Sequence, residues 1–167
     1  LLLQAACECS NEEQDHFIYD SIGIFMDYML WDYAESWCMR LKHISPKYKG
    51  LPEIEAEIKM CTGDYDSAID ILNGILDINS YNSQAWNMLA ESYFSKGTFE
   101  EAIEACQFAL AINEDDFKAI STLADCYYHT SSFSKAHEYY EKALMMRPDD
   151  ALYHMDAVSL FQMGEFE

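Results

Sequence analysis

Apolar residues recur along this chain in two alternating helical runs, and the pair of runs repeats every 34 residues. At one register of the repeat the residue is always alanine: Ala34, Ala68, Ala102 and Ala136. At a second register the residues are small or aliphatic: Ile22, Ala56, Ala90 and Ala124. Spacings of three and four residues within each run place these side chains on one face of a helix. The pattern predicts an all-α repeat protein built from helix pairs.

Short breaks between the runs predict where each helix ends. Within a pair, the break carries Gly63-Asp64, Gly97-Thr98, Ser131-Ser132 or Gly164-Glu165, and glycine tolerates the left-handed backbone that commonly ends a helix. Between pairs, Pro46 and Pro148 stop the preceding helix. Acid pairs in the same breaks, Asp115-Asp116 and Asp149-Asp150, are expected to cap the following helices. The predicted organisation is an N-terminal helix or tail over 1–14, a degenerate unit over 15–48, units over 49–82, 83–116 and 117–150, and an incomplete unit over 151–167.

Two units resemble a known repeat. The unit from Ser83 to Asp116 is similar to a tetratricopeptide repeat at Trp86, Leu89, Ala90, Tyr93, Gly97, Phe99, Ala102 and Ala109. The segment from Lys118 to Pro148 is similar at Leu123, Ala124, Tyr127, Phe133, Ala136, Ala143 and Pro148. In the 49–82 unit the first helix departs, because Pro52 replaces an aromatic residue, and Glu55 and Lys59 replace core residues. The resemblance implies a right-handed α-solenoid of antiparallel helix pairs, with about four repeats and a partial one.

The resemblance also implies a ligand groove lined by the first helix of each pair. Three sets of residues follow the 34-residue interval along that surface. The first set is acidic (Glu57, Glu91 and Asp125), and the second is apolar (Met60, Phe94 and Tyr128). The third set is mixed: Glu53, Asn87 and Ser121, extended by His154, which lies one residue before the next 34-residue step. An acidic stripe beside an apolar one favours a peptide segment with basic residues and hydrophobic anchors. The alternative stays open that acids fall in register by composition and that Phe94 and Tyr128 are core residues.

One use of such repeats is disfavoured by the residues present. Family members that hold the acidic tails of heat-shock chaperones use a clamp of Lys, Arg and Asn on the first helices. At the matching positions this chain has Glu53, Glu57, Met88, Lys118 and Thr122. Lys118 alone fits the clamp, so a carboxylate clamp is not expected.

Charge and cysteine spacing exclude several other classes. The formal charge is −20, with 30 acidic and 10 basic residues, and such a field repels a nucleic acid backbone. No stretch approaches the roughly 18 apolar residues of a membrane span, so membrane insertion is not expected. The six cysteines include no C-x-x-C pair, which disfavours zinc and favours reduced thiols in the cytoplasm.

Motifs for catalysis are also missing from the sequence. It contains no G-x-x-x-x-G-K-[ST], G-x-G-x-x-G or G-x-S-x-G, so we expect no enzymatic activity, no cofactor and no metal. Two functions remain open: an adaptor or scaffold that binds a peptide in its groove, and a structural or regulatory segment of a larger protein or assembly. The sequence stops before the second helix of the last unit, so we expect that the chain is a fragment of a longer repeat array or that a partner covers this end. The second function therefore includes self-association through the segment 153–166.

Overall fold

The computed structural model describes residues 11–164, and within that range it contains nine α-helices and no strand. In chain order the helices are α1 (Asn11–Asp27), α2 (Trp31–Ile44), α3 (Leu51–Cys61), α4 (Tyr65–Ile78), α5 (Ser83–Lys96), α6 (Phe99–Ile112), α7 (Phe117–His129), α8 (Phe133–Met146) and α9 (Asp150–Met163). The prediction of an all-α chain is confirmed for these residues. Most of the element predicted over 1–14 lies outside the described residues.

The chain divides into two compact units, Leu1–Ile71 and Leu72–Glu167. In the first, α1 packs against α2 and α2 against α3. In the second, α5 packs against α6, α6 against α7, α7 against α8, and α8 against α9. Helix α4 contributes residues to both units.

The core of the first unit uses large aliphatic side chains. Ile18, Ile22 and Leu41 are completely buried, and Ile54 and Ile58 of α3 join the same cluster. Partly buried rings of Phe25, Trp37 and other aromatic residues pack around it. Burying such a side chain contributes roughly 1.5–3 kcal/mol.

The core of the second unit is built around alanine. Ala90 on α5 and Ala102 on α6 are 1 % and 0 % exposed. Small side chains let two helix axes approach closely, and larger neighbours then fill the remaining space. The largest completely buried residue in this unit is Tyr140 on α8. All four alanines of the first register (Ala34, Ala68, Ala102 and Ala136) are 0 % exposed, which confirms their predicted burial.

The turns within helix pairs adopt the left-handed backbone that the sequence predicts. The φ angles are 80° at Gly63, 85° at Gly97, 58° at Ser131 and 76° at Gly164. Met29, which lies 34 residues before Gly63, has a φ of 56° and was not expected in this conformation. A side chain in this region costs roughly 1–2 kcal/mol, so the first turn is strained where three of the others use glycine.

Side chains cap the helices that follow the breaks between pairs. The Asn82 side chain accepts a hydrogen bond from the Ala85 amide at 3.1 Å at the start of α5. Asp116 and Asp149 accept bonds from the first amides of α7 and α9. The capping prediction is therefore confirmed for one member of each acid pair, which stabilises each helix start by about 1 kcal/mol.

Candidate functional site

The ten candidate groove residues lie on α3, α5, α7 and α9, the first helices of their pairs. Glu53, Glu57 and Met60 belong to the first compact unit, and the other seven belong to the second.

In the first unit, Glu57 is exposed, while Glu53 and Met60 are half-buried. Burial raises the pKa of Tyr19 on α1. The negative charges of Glu53 and Glu57 raise this pKa further. Burial also raises the pKa of the Cys61 thiol, and Glu57 adds to that rise. In both cases the negative charge of Glu57 adds to the effect of burial.

The two charged residues that replace core positions in α3 bind α2. Lys42 Nζ lies 2.7 Å from Glu55 Oε1, and Lys59 Nζ lies 2.7 Å from Glu35 Oε1. Lys59 also lies 3.5 Å from Asp64. The sequence showed these residues as departures from the repeat, and the structure shows that they form ion pairs between neighbouring helices.

In the second unit, Glu91 already has a cationic partner. Lys118 Nζ at the start of α7 lies 3.0 Å from Glu91 Oε1 on α5. The Lys118 side chain is 53 % exposed, so this pair is solvated and contributes at most about 1 kcal/mol. A stronger cationic ligand can therefore compete with Lys118 for Glu91.

Asp125 faces the interior of the α7–α8 pair. The Tyr140 hydroxyl donates a 2.6 Å hydrogen bond to Asp125 Oδ1. Burial raises the pKa of the Asp125 carboxyl, and the Tyr140 hydrogen bond and the nearby His129 oppose that rise. Of the two acids of the acidic set in this unit, Glu91 is accessible, whereas Asp125 accepts a hydrogen bond from the buried Tyr140.

Two polar candidates are held by the backbone or by a cap. The Asn87 side chain is 8 % exposed and donates from Nδ2 to Asp116 Oδ2 at 2.7 Å, while its Oδ1 has no partner among the described residues. Ser121 is half-buried, and its hydroxyl donates to the Lys118 carbonyl at 3.0 Å. His154 on α9 is exposed.

The two apolar candidates of the second unit, Phe94 and Tyr128, belong to an aromatic cluster that includes His129. The Phe94 ring meets the His129 ring edge to face at 5.4 Å, and Phe99 stacks on His129 at 4.7 Å. Tyr128 meets Phe133 edge to face at 5.7 Å. Phe94 and Tyr128 are both half-buried, so each ring packs within the repeat and also presents an accessible part. Helical spacing places Phe94 on the same face of α5 as Glu91.

The buried cysteines of the described segment are unsuited to chemistry. Cys38, Cys106 and Cys126 are buried free thiols. Burial raises the pKa of Cys38 to about 11 and that of Cys126 to about 12. Such thiols stay protonated and unreactive at neutral pH. Within residues 11–164 no group of three His, Cys, Asp or Glu side chains is arranged to hold a metal ion, and no helix there is long and apolar enough to cross a membrane.

A sequence model described as tetratricopeptide repeat matches residues 62–107 and 93–155. Together these ranges cover residues 62–155, more than half of the chain. A search of curated protein sequences finds no match.

Solved structures share the fold. A crystal structure of MamA superposes with a TM-score of 0.76 at 20 % identity, covering 90 % of this chain and 82 % of that one. The first TPR of Spaghetti (RPAP3), bound to the HSP90 peptide SRMEEVD, gives 0.67 at 22 % identity, covering 69 % and 92 %. The Sgt2 TPR domain from Aspergillus fumigatus gives 0.64 at 24 % identity, covering 68 % and 78 %. These similarities and the family match confirm the predicted fold of an all-α repeat solenoid.

Proposed function

Because the chain belongs to the tetratricopeptide-repeat family, we propose that it is a non-catalytic protein-interaction module that binds a peptide segment on α5 and α7. The observation that carries the proposal is the pairing of an accessible acid with an aromatic cluster. Glu91 is held by one solvated lysine, and Phe94 follows it by one helical turn beside His129. A peptide with a basic residue next to an apolar one matches this surface.

The charge of the surface distinguishes this proposal from the ligand of a structural neighbour. The Spaghetti repeat domain is bound to SRMEEVD, a peptide with three acids and one arginine. This chain has Glu53 and Glu57 at positions where a clamp for acidic tails carries a cation and an amide, and its formal charge is −20. An acidic peptide is repelled by that field, while a basic one is attracted to it.

The proposal is tested with an array of labelled 12-residue peptides in which basic, acidic and apolar positions vary. We expect peptides that combine Lys or Arg with Leu or Phe to bind, and Glu91→Lys to weaken that binding about tenfold, or about 1.4 kcal/mol. Glu104→Lys is the matched control, because Glu104 is exposed on α6 and its replacement changes the charge of the chain by the same amount. Asp125 is replaced by Asn, since a lysine there would lose the Tyr140 hydrogen bond inside the repeat.

Three results contradict the proposal. The first is equal binding of acidic and basic peptides. The second is an equal effect of Glu91→Lys and Glu104→Lys on binding. The third is self-association, measured by sedimentation, that disappears with Leu160→Glu on α9 while no peptide binds. That third result favours the structural role that the sequence also left open.

A further inference from the structure

A groove on the second helices of the 72–167 unit lies apart from the surface just described. Its walls come from α6 and α8, and Ile120 of α7, which is 5 % exposed, lies at its base. The groove encloses about 390 Å³, which is within the size of ordinary ligand pockets. None of the ten candidate groove residues lines it.

The apolar part of the groove is formed by flexible side chains. Leu110 lies on α6, and Met145 and Met146 lie at the end of α8. The exposed fractions of Met145 and Met146 are 82 % and 41 %. Methionine adapts its shape to the group that contacts it, so such a surface accepts aliphatic side chains of different shapes.

Charge at the edge of the groove is negative and unpaired. Glu114 and Asp115 line it from the turn between α6 and α7, and neither forms an ion pair within the segment that the structure describes. The one cation of the lining, Lys142, is already engaged. Its Nζ lies 2.7 Å from Glu138 Oε1 and 4.5 Å from the centre of the Tyr139 ring. The free charges therefore attract a cation.

We propose that this groove is a second docking site, which takes an amphipathic segment of a partner protein. Aliphatic side chains of the segment contact Met145 and Met146, and an adjacent Lys or Arg pairs with Glu114 and Asp115. A second copy of this chain is a poor occupant, because two molecules with a formal charge of −20 repel each other. This inference goes beyond the proposed function, since it concerns different helices and different residues.

The test uses the full chain labelled with ¹³C at the methionine methyl groups. The probe is a 14-residue peptide in which two leucines are followed by two lysines, and the control peptide carries two glutamates in place of the lysines. We expect the lysine peptide to shift the methyl signals of Met145 and Met146, which are assigned with Met145→Leu and Met146→Leu. The signal of Met39 on α2, 61 % exposed and outside the groove, stays in place.

Charge variants test the role of the acids at the edge. We expect the double variant Glu114→Lys and Asp115→Lys to weaken binding of the lysine peptide about tenfold. Asp77→Lys with Glu104→Lys is the matched control, because both acids are exposed and neither lines the groove. A thermal melt of each variant shows that the fold is retained.

Three outcomes overturn the inference. In the first, no methionine signal shifts at millimolar peptide. In the second, the glutamate peptide shifts Met145 and Met146 as strongly as the lysine peptide. In the third, the lysine peptide shifts Met88 on α5 while Met145 and Met146 are unaffected, which would leave the proposed function intact and remove the second site. If instead the α6–α8 groove binds and Glu91→Lys has no effect in the peptide array, the second site stands and the proposed function fails.

Discussion

The α1–α2 pair and the α5–α6 pair occupy equivalent places in the repeat but are built from different residues. Ile22 fills the register that Ala90 fills in α5, and both are buried. The turn of the first pair has Met29 in the left-handed conformation, where the other pair has Gly97. The repeat therefore requires a closely packed contact between its two helices and a turn residue in the left-handed conformation. Different side chains meet these requirements, at different energetic cost.

Removing the large residue from the first pair should have the largest effect. Ile22→Ala leaves a cavity in a completely buried cluster, and we expect it to reduce the free energy of unfolding by about 2–5 kcal/mol. Urea unfolding followed by circular dichroism measures the loss. Ile24→Ala is the control, because Ile24 lies on the same helix and is 54 % exposed. A loss no greater than that of the control would mean that Ile22 does not support the core.

Enlarging the small residue in the later pair should have the next largest effect. Ala102→Leu adds a bulky side chain where Ala102 is 0 % exposed, and we expect overpacking to cost about 1–3 kcal/mol. The melting temperature measures the change, with Ala111→Leu, at an exposed position of α6, as the control. An unchanged melting temperature would contradict the close packing of α5 on α6.

Exchanging the turn residues tests the strain at Met29. We expect Met29→Gly to stabilise the chain by about 0.5–1 kcal/mol, because relief of the left-handed strain exceeds the entropy cost of glycine. Gly97→Met should destabilise it by about 1–2 kcal/mol. A Cβ at Gly97 meets no heavy atom within 4 Å, so this cost is conformational rather than steric. Shifts of the urea midpoint with the same sign for both variants would show that strain is not the cause.

The smallest effect concerns the polar contacts, which also differ between the two units. The first uses Lys–Glu pairs between α2 and α3, and the second uses the Tyr140–Asp125 bond between α7 and α8. Since burial raises the pKa of Asp125 above its ordinary 3.8, the folded state holds this proton more tightly than the unfolded state. The free energy of unfolding therefore decreases as the pH rises from 3.8 through the higher pKa of Asp125 in the folded state.

Asp125→Asn removes that ionisation and keeps an acceptor for Tyr140. We expect its stability to match that of the wild type below about pH 4 and to exceed it slightly at pH 7. Urea unfolding at the two pH values measures the difference. Glu91→Gln is the comparison, since Glu91 is solvated and paired with Lys118. A wild-type advantage at pH 7 would mean that the charged form of Asp125 is favoured in the fold.

The sequence predicted the regular features of the fold because periodicity determines them. The burial of Ala102 and Ala136 follows from a helical spacing that repeats, and the turns at Gly63 and Gly97 follow from the conformational freedom of glycine. Met29 was missed, although it lies 34 residues before Gly63, because methionine rarely adopts the left-handed conformation and gives no signal for such a turn.

The candidate site was harder to predict. Its residues could be assigned to helices, but the partners of Glu91 and Asp125 depend on side-chain conformations and on distances between helices. Those conformations and distances depend on how the helices pack, and the 34-residue register of the sequence does not specify this packing. The role of the candidates as a binding surface stays a prediction for the peptide array.

The Asp116 carboxylate links the unfolding of one repeat to the unfolding of the repeat before it. One of its oxygens caps α7, and the other accepts a hydrogen bond from the nearly buried Asn87 of α5. Fraying of α7 therefore also removes a partner from a buried amide in the preceding repeat. In a repeat protein such nearest-neighbour terms determine how many units unfold together. The Asn87–Asp116 contact therefore couples the α5–α6 pair to α7 and favours their unfolding as one cooperative segment.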